Sequence, residues 1–516
     1  MAKVNLDALI AREDFEVEEN SSSGKKKETI SIEDIKPDSF FFSNIRKPDF
    51  QRETNEWDSQ KICELIKSFI VGDLIPAIIL WRSTGGYLFV IDGSHRLSAL
   101  SAWVTDDYGD GTISKVFYDG IIPDEQLEIA QETRKLVNKT IGSYNDFRLA
   151  LTNPDKIKPE IVKLAKNLAA LAIQLQWVEG DAKKAENSFS KINQQAAPIN
   201  PTELKLLTSR KKPNSIAARA IIKGGKGHKY WSLFSDELQF EIQSLAAEIN
   251  EILFAPKLQT PVKTLDLPVG GKLYSTPALP LILDFVNIVN VETNKKEILD
   301  DDTGLETLKI LKVAKKVARR LNSNHSSSLG LHPAIYFYSQ DGRHKPASFF
   351  AVVDFVMELD KRKKIDDFIE VRRIFEQFIL EYDYLIQQIY RKYRSAQKSY
   401  PQISKFFLRL IVAFKAGKTI DDSIMEIMAS SDFKYLALQS SPQQSNSDSK
   451  DFNTNQKSAI FMREALQNVP TCKICEGLIH RNSISIDHVQ RKQDGGLATL
   501  ENGQLTHPYC NTGYKN

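Results

Sequence analysis

Cys472 and Cys475 stand in the run CKIC, and after 31 intervening residues His507 and Cys510 repeat the same spacing in HPYC. The last 58 residues, 459–516, are too few to hold together easily by apolar burial, and units of that size commonly need a staple. Each two-residue spacing lets one tight knuckle present two ligands. Three soft sulfurs and an imidazole suit tetrahedral Zn2+, and a site with all four positions filled by protein is structural rather than catalytic. The alternative is an exposed His507 beside free thiols. The fourth cysteine, Cys63 in KICELIKSFI, falls on the apolar face of an expected helix and is read as packing. Four cysteines in 516 residues form no disulfide framework, which fits a reducing, cytoplasmic setting.

A chain of this length is expected to split into three or more units. Hydrophobic content of 41% and charged content of 26% are ordinary for a soluble globular protein. No signal-peptide core or 18-residue apolar run is present, so no membrane partner is expected. A net charge of +3 says little, but its distribution says more. Residues 311–400 hold 17 Lys or Arg against 10 Asp or Glu, in runs such as KVAKKVARR, KRKK and YRKYRSAQK. Such a surplus either attracts phosphate backbones or forms a solvated helix face.

Residues 1–30 are expected as a flexible arm ending in NSSSGKKKE. A mixed α/β region follows over 31–215. In it SQKICELIKSFIVG has helical spacing, IPAIILW and GYLFVID read as a hairpin, and SHRLSALSAWV opens a helix with Ser94 as N-cap. Helical patterns dominate from about 124 onward, PEIVKLAKNLAALAIQLQW among them, and continue over 216–438. Within them the aromatic stretch 329–350 is expected in the core, with a contact surface for the tail as the alternative. The Ser-, Gln- and Asn-rich run 439–458 reads as a linker to the tail at 459–516.

Between the knuckles the sequence runs SISIDH, then DGG, LEN and HPYCN. With CKIC, this order resembles the HNH endonuclease family over about 45 residues. The resemblance implies a ββα-metal fold around a catalytic divalent cation. His488 matches the general base, Asp487 and Asn511 match ligands of Mg2+ or Mn2+, and Asn502 matches the Asn that braces the loop. The chemistry is consistent: neutral imidazole takes a proton near pH 7, and hard oxygen ligands suit those cations. Arg481, Arg491 and Lys492 could contact phosphate, and surface placement explains them equally. Two departures stand out. The last motif position is Asn511 rather than His, and only six residues follow Cys510, so the short final helix is expected to lean on another part of the protein.

In the front half, YLFVIDGSHRLSAL resembles the ParB/sulfiredoxin-like superfamily, in the group marked by DGQQR or DGQHR. PDFQRETNEW, IVGDLIPAIILW and FSKINQQAAPINPTEL match further pieces in order over about 40–210. The resemblance implies a nucleotide site, with a nucleoside triphosphate held by Gln51, Arg52, Asp92, Gly93, Ser94, His95 and Arg96. A strand ending in Asp-Gly and opening into a helix offers backbone N–H groups and an arginine to phosphate. Ser94 replaces the group's Gln, which puts hydrolysis rather than binding in doubt. The alternative is an Asp92–Arg96 ion pair that only caps the helix.

The expected fold class is multidomain α+β: a ParB/sulfiredoxin-like α/β N-terminal domain, a mostly α-helical middle and a small zinc-stabilised HNH domain. The expected function is a metal-dependent DNA endonuclease of bacterial anti-phage defence, of the modification-dependent restriction type, controlled by nucleotide sensing. Its expected partners are phage or modified DNA, a nucleotide, and a second copy or a defence-system protein. The alternatives are a ParB-like DNA-binding regulator with a non-catalytic zinc knuckle, and a nucleotide hydrolase with an accessory tail.

Overall fold

The computed structural model describes residues 3–13, 15, 25–48, 51, 54–118, 120, 122–196, 209, 211–226, 231, 234–273, 278–291, 298–438 and 451–515. The chain divides into two compact units, Met1–Arg210 with Tyr274–Thr276, and Lys211–Leu273 with Pro277–Asn516.

The first unit is built on a six-stranded sheet of β1 (Arg12–Glu13), β2 (Thr29–Ser31), β3 (Ile45–Pro48), β4 (Ile78–Arg82), β5 (Leu88–Asp92) and β6 (Ala172–Val178), in the order β1-β3-β5-β4-β6-β2. The expected hairpin is β4–β5, antiparallel with Leu80 opposite Val90. Around it lie α1 (Ser59–Val71), α2 (Ser94–Thr105), α3 (Asp124–Thr140), α4 (Tyr144–Thr152), α5 (Pro159–Leu168) and α6 (Ala182–Ala196). Asp58 caps α1 by accepting from Lys61 N, and Gly72 ends it in the left-handed region at φ 81°. The apolar stripe of α1 buries Ile62, Cys63, Ile66, Phe69 and Ile70, each aliphatic or aromatic side chain contributing roughly 1.5–3 kcal/mol. Cys63 is therefore a packing residue.

Two expectations are corrected here. Residues 3–13 are no free arm: Val4, Leu6, Leu9 and Ile10 join the core, and β1 pairs in parallel with β3. The apolar alternation there was diluted by its charged neighbours. Secondly, α2 is preceded not by a Ser94 cap but by Gly93 at φ 103°, with Ser94 the first helical residue. A left-handed turn straight out of β5 leaves no room for a capping side chain.

The second unit carries α7 (Pro213–Ile222), α8 (Asp236–Phe254), α9 (Ala278–Val289), α10 (Leu305–Leu321), α11 (Pro346–Lys361), α12 (Ile365–Tyr393), α13 (Ala396–Lys415), α14 (Ile420–Ala429) and α15 (Thr454–Leu466). α11, α12 and α13 pack around the rings of Phe355, Phe368, Phe375 and Phe407, with Phe355 and Phe375 stacked at 5.5 Å. α12 has a non-helical residue, Tyr382. Of the stretch expected as a linker, 439–450 lies outside the described residues. Its end is not a linker, because 454–458 opens α15, where Ser458 Oγ accepts from Val262 N at 3.0 Å. The tail ends in a two-stranded antiparallel sheet of β7 (Ser485–His488) and β8 (Gly503–Thr506), and a π-helical turn at Cys510–Tyr514.

Candidate functional site

The knuckle is shaped by its backbone. Cys472 N donates to Gly477 O and Glu476 N to Cys472 O, both at 2.9 Å, and Glu476 turns through φ 56°. The same turn aims Cys472 and Cys475 at the pair on the final helix. The ligand atoms of Cys472, Cys475, His507 and Cys510 lie within 4.8 Å of one another, and all four residues are buried.

Their chemistry fits zinc. Nε2–H of His507 donates to Leu478 O at 3.1 Å, which turns Nδ1 toward the sulfurs of Cys475 at 3.3 Å and Cys510 at 3.9 Å. Around a tetrahedral zinc, with Zn–S of about 2.3 Å and Zn–N of about 2.0 Å, that separation is about 3.6 Å. Burial, with Arg372 alongside, lowers the His507 pKa and so favours the neutral imidazole a metal requires. The crowded thiols share protons. Hydrogen bonds from Cys475 and Cys510 push Cys472 down, while hydrogen bonding to Cys472 pushes Cys475 and Cys510 up. Three thiolates this close need a cation between them.

The shell beneath the cluster comes from the helical bundle. Arg372 is fully buried on α12. It donates to Glu376 Oε1 at 2.7 Å, to Leu329 O at 2.5 Å and to Gly330 O at 3.0 Å, and its Nη1 lies 3.1 Å from His507 Nδ1. Glu376 accepts in turn from Leu478 N at 3.0 Å and from Tyr336 OH at 2.9 Å. A Cβ at Gly330 would meet the His507 ring at 2.4 Å, and one at Gly477 would meet Arg372 at 2.3 Å. The short final helix leans where needed: Tyr509 OH donates to Asp366 at 2.9 Å, and Thr512 Oγ1 donates to Ser326 O at 2.9 Å. The aromatic stretch 329–350 is both core and contact surface. Tyr336, Phe337 and Tyr338 are buried, while the carbonyls of Leu329 and Gly330 hold the arginine.

The residues with proton and cation chemistry gather along β7. Asp487, 7% exposed, faces Gln504 across the ladder and accepts from Gln504 Nε2 at 2.8 Å. Lys515 Nζ donates to the same Asp487 oxygen and to His488 O. Asn511 Nδ2 donates to Ser485 Oγ at 2.8 Å and Ile486 O at 3.2 Å, which ties the last helix to the same strand. Asn502 braces the loop: its Oδ1 accepts from Gln490 N at 2.7 Å, and its Nδ2 donates to Leu497 O at 2.8 Å. His488 is half-buried at the end of the strand, and its ring has no hydrogen-bond partner among the described residues. Pleating sends its side chain to the face opposite Asp487, so the two flank one strand end without bonding each other. A hard cation fits here, because the Lys515 ammonium already sits against Asp487 Oδ2 and the His488 carbonyl as a stand-in. Of the basic residues, Arg481 lies 3.5 Å from Asp266, Arg491 donates to Lys515 O at 2.6 Å, and Lys492 is exposed.

In the first unit β3 and β5 run parallel, so the chain leaves both at the same end of the sheet, the place where open α/β folds bind ligands. Gly93 and Ser94 form the turn there, and the His95 ring stacks on Trp57 at 5.5 Å. Asp92 and Arg96 form the ion pair of the alternative reading, at 2.6 Å, with Arg96 Nη2 also donating to Ala77 O. Buried Arg96 Nε and Gln51 Oε1 have no hydrogen-bond partner among the described residues, so polar capacity remains. Arg52 lies outside the described residues. Nearby, buried Lys47 donates to Asp7 and Thr54, and Arg12 forks onto Asp7.

Sequence reasoning did not single out Lys515, Gln504, Arg372, Glu376, Asp7 or Lys47. One signal was available: Arg372 and Glu376 sit four apart on the apolar register of α12, between Phe368 and Phe378, where charges belong only in pairs.

Residues 32–208 match the family model described as GmrSD restriction endonuclease, N-terminal domain, and residues 472–516 match that described as HNH endonuclease. No curated protein and no solved structure matches the chain. The two domains mark a restriction-type nuclease, with DNA as the substrate the domains imply. Among the described residues, no helix is long and apolar enough to cross a membrane.

Proposed function

We propose that the chain is a metal-dependent DNA endonuclease of anti-phage defence, cutting phosphodiester bonds at the β7 end under control of a nucleotide bound by the N-terminal domain. The observation that carries this reading is the oxygen cradle of Asp487 and the His488 carbonyl, filled by an ammonium group, at the strand end whose other face carries the His488 imidazole with no hydrogen-bond partner among the described residues. When bound, Mg2+ or Mn2+ would supply charge to the leaving oxygen. Asp487 and Asn511 would hold it, Asn511 being anchored to β7 by its amide. His488 Nε2 or Nδ1 takes the proton of the attacking water, and its position at the edge of the strand gives that water access. Asn502 keeps the loop after His488 from collapsing onto the ring. The Cys472, Cys475, His507 and Cys510 set, carrying zinc, holds the final helix against the strand and takes no part in the chemistry.

The N-terminal part of the proposal is a nucleoside triphosphate at the strand ends of a ParB/sulfiredoxin-like domain. Its phosphates would draw Arg96 away from Asp92, and the orphaned Arg96 Nε and Gln51 Oε1 would gain partners there. Sensing of modified DNA, cytoplasmic action, and assembly with a second copy or a defence partner belong to the same reading.

The test is plasmid cleavage in Mg2+ or Mn2+ by the wild type and by His488→Ala. Cutting that disappears in the variant, with zinc content and melting unchanged, supports the enzyme. Equal cutting by both forms removes His488 from the mechanism. Nucleotide turnover unchanged in both Asp92→Ala and Arg96→Ala removes hydrolysis at the front site.

A further inference from the structure

The basic surplus of the helical bundle separates into two kinds of cation. Along α10 every one is answered by a carboxylate: Lys309 by Glu306, Lys312 by Glu241, Lys315 and Arg319 by Glu248, Lys316 and Arg320 by Asp360. At the α12–α13 turn the pattern reverses. Arg391, Lys392, Arg394 and Lys398 are all exposed, and none has a carboxylate partner among the described residues. Lys434 is exposed too, and the ring centroid of its neighbour Tyr435 lies 5.4 Å from Lys392 Nζ. Gln388 and Ala437 exchange two hydrogen bonds that hold the 433–438 segment against α12.

Helix-end electrostatics explains some of this, because cations stabilise a C-terminal turn. It does not account for Lys398 and Lys434, which lie off that helix, nor for the backbone. Arg394 closes α12 in the left-handed region at φ 61°, a position usually given to glycine or asparagine. An arginine kept there bears strain, and strain of this kind clusters at binding sites. Arg391 and Arg394 are three residues apart on one face, where like charges repel unless an anion lies between them. Tyr390, 44% exposed and four residues before Arg394, offers a ring on the same face.

α12 also joins this turn to the module that cuts. Asp366, Arg372 and Glu376 near its start hold the zinc-ligand unit, and 19 residues later Arg391 opens the cationic turn. Non-helical Tyr382 lies between them, so the turn is set apart from the zinc-ligand unit on the far side of a kink.

We propose that the α12–α13 turn is a docking site for the phosphate backbone of duplex DNA, set apart from the bond that is cut. The site rests on the nuclease reading for its choice of duplex DNA.

The test is binding of a labelled duplex without added Mg2+ or Mn2+ over a salt series, comparing the wild type with the combined Arg391→Gln, Lys392→Gln, Arg394→Gln and Lys398→Gln variant. Lys312→Gln serves as a paired-cation control. The expected result is a log K against log salt slope shallower by about 3 in the combined variant, affinity weaker by roughly tenfold or more, and an unchanged slope for Lys312→Gln. Lys398→Glu alone, with unaltered melting, gives a smaller loss in the same direction. An unchanged slope in the combined variant overturns the site, as does a wild type that binds no duplex. Loss of binding to RNA or to phosphatidylserine vesicles, with duplex binding intact, overturns it in favour of those ligands. Cleavage assays in Mn2+ separate the two proposals. A normal cutter with an unmoved slope loses the docking site alone, and a protein that cuts nothing but binds through the turn loses the nuclease reading alone.

Discussion

Under the proposed mechanism Lys515, bonded to Asp487 and the His488 carbonyl, competes with the divalent cation. Lys515→Met is expected to lower the Mn2+ concentration at half-maximal cutting by up to about tenfold, which corresponds to about 1.4 kcal/mol. A metal titration of plasmid cleavage reads this directly, and an unchanged midpoint would show that the ammonium leaves without cost. Asp7 shows the same logic inside the first unit. Burial alone would raise its pKa, yet Lys47 and Arg12 hold it at about 2, below the ordinary 3.8. Its folded pKa is depressed, so its contribution to stability is complete above about pH 4 and fades as pH falls toward 2. Asp7→Asn leaves Lys47 buried without its counter-charge and is expected to cost about 3–5 kcal/mol in urea unfolding at neutral pH. The four zinc-site residues were legible because short, repeated spacings carry ligand geometry. Asn502 was legible through its motif. Lys515 and Arg372 were not, since what gives them meaning is a partner 28 and 135 residues away, brought close only by the fold.

At the scale of elements, sequence periodicity located the long helices and the β4–β5 hairpin, where apolar residues repeat over many positions. It missed β1, β2 and β3, which have two to four residues and borrow their order from neighbours, and it read Ala172–Val178 as helix, although α5 ends at Leu168 and these residues form β6. It misplaced the start of α2 because a left-handed glycine leaves no capping signature. Gly330 shows how narrowly two elements meet. Gly330→Ala drives a methyl into the His507 ring and is expected to weaken zinc retention by tenfold or more in a chelator competition followed by absorbance. Arg394→Gly removes a left-handed penalty at the end of α12 and is expected to stabilise the bundle by roughly 1 kcal/mol in thermal melts. That substitution also removes one cation from the docking turn, so stability and DNA affinity should move in opposite directions.

Over the whole molecule, the tail was foreseen as a small domain hung on a linker, and the short final helix was foreseen to need support. The second expectation describes the second unit better. The ligands of the metal cluster and the core of the helical bundle share Arg372 and Glu376, both buried, so neither can be dismantled without exposing a charge. Removing zinc with a strong chelator is therefore expected to lower the melting temperature of the bundle and not merely fray the last fifty residues. Calorimetry with and without chelator checks this, and an unmoved main transition would show that the knuckle folds separately. The fixed mounting also bears on how such an enzyme is kept from harming its host. Swinging the cutter out of line would leave the Arg372–Glu376 pair without its tail partners and break the Leu478 N–Glu376 hydrogen bond, at about 1.5–3 kcal/mol for a bond to a charged group. A safety catch that acts by tilting the blade is thus an expensive one, and restraint is better exercised on what is allowed to reach the edge.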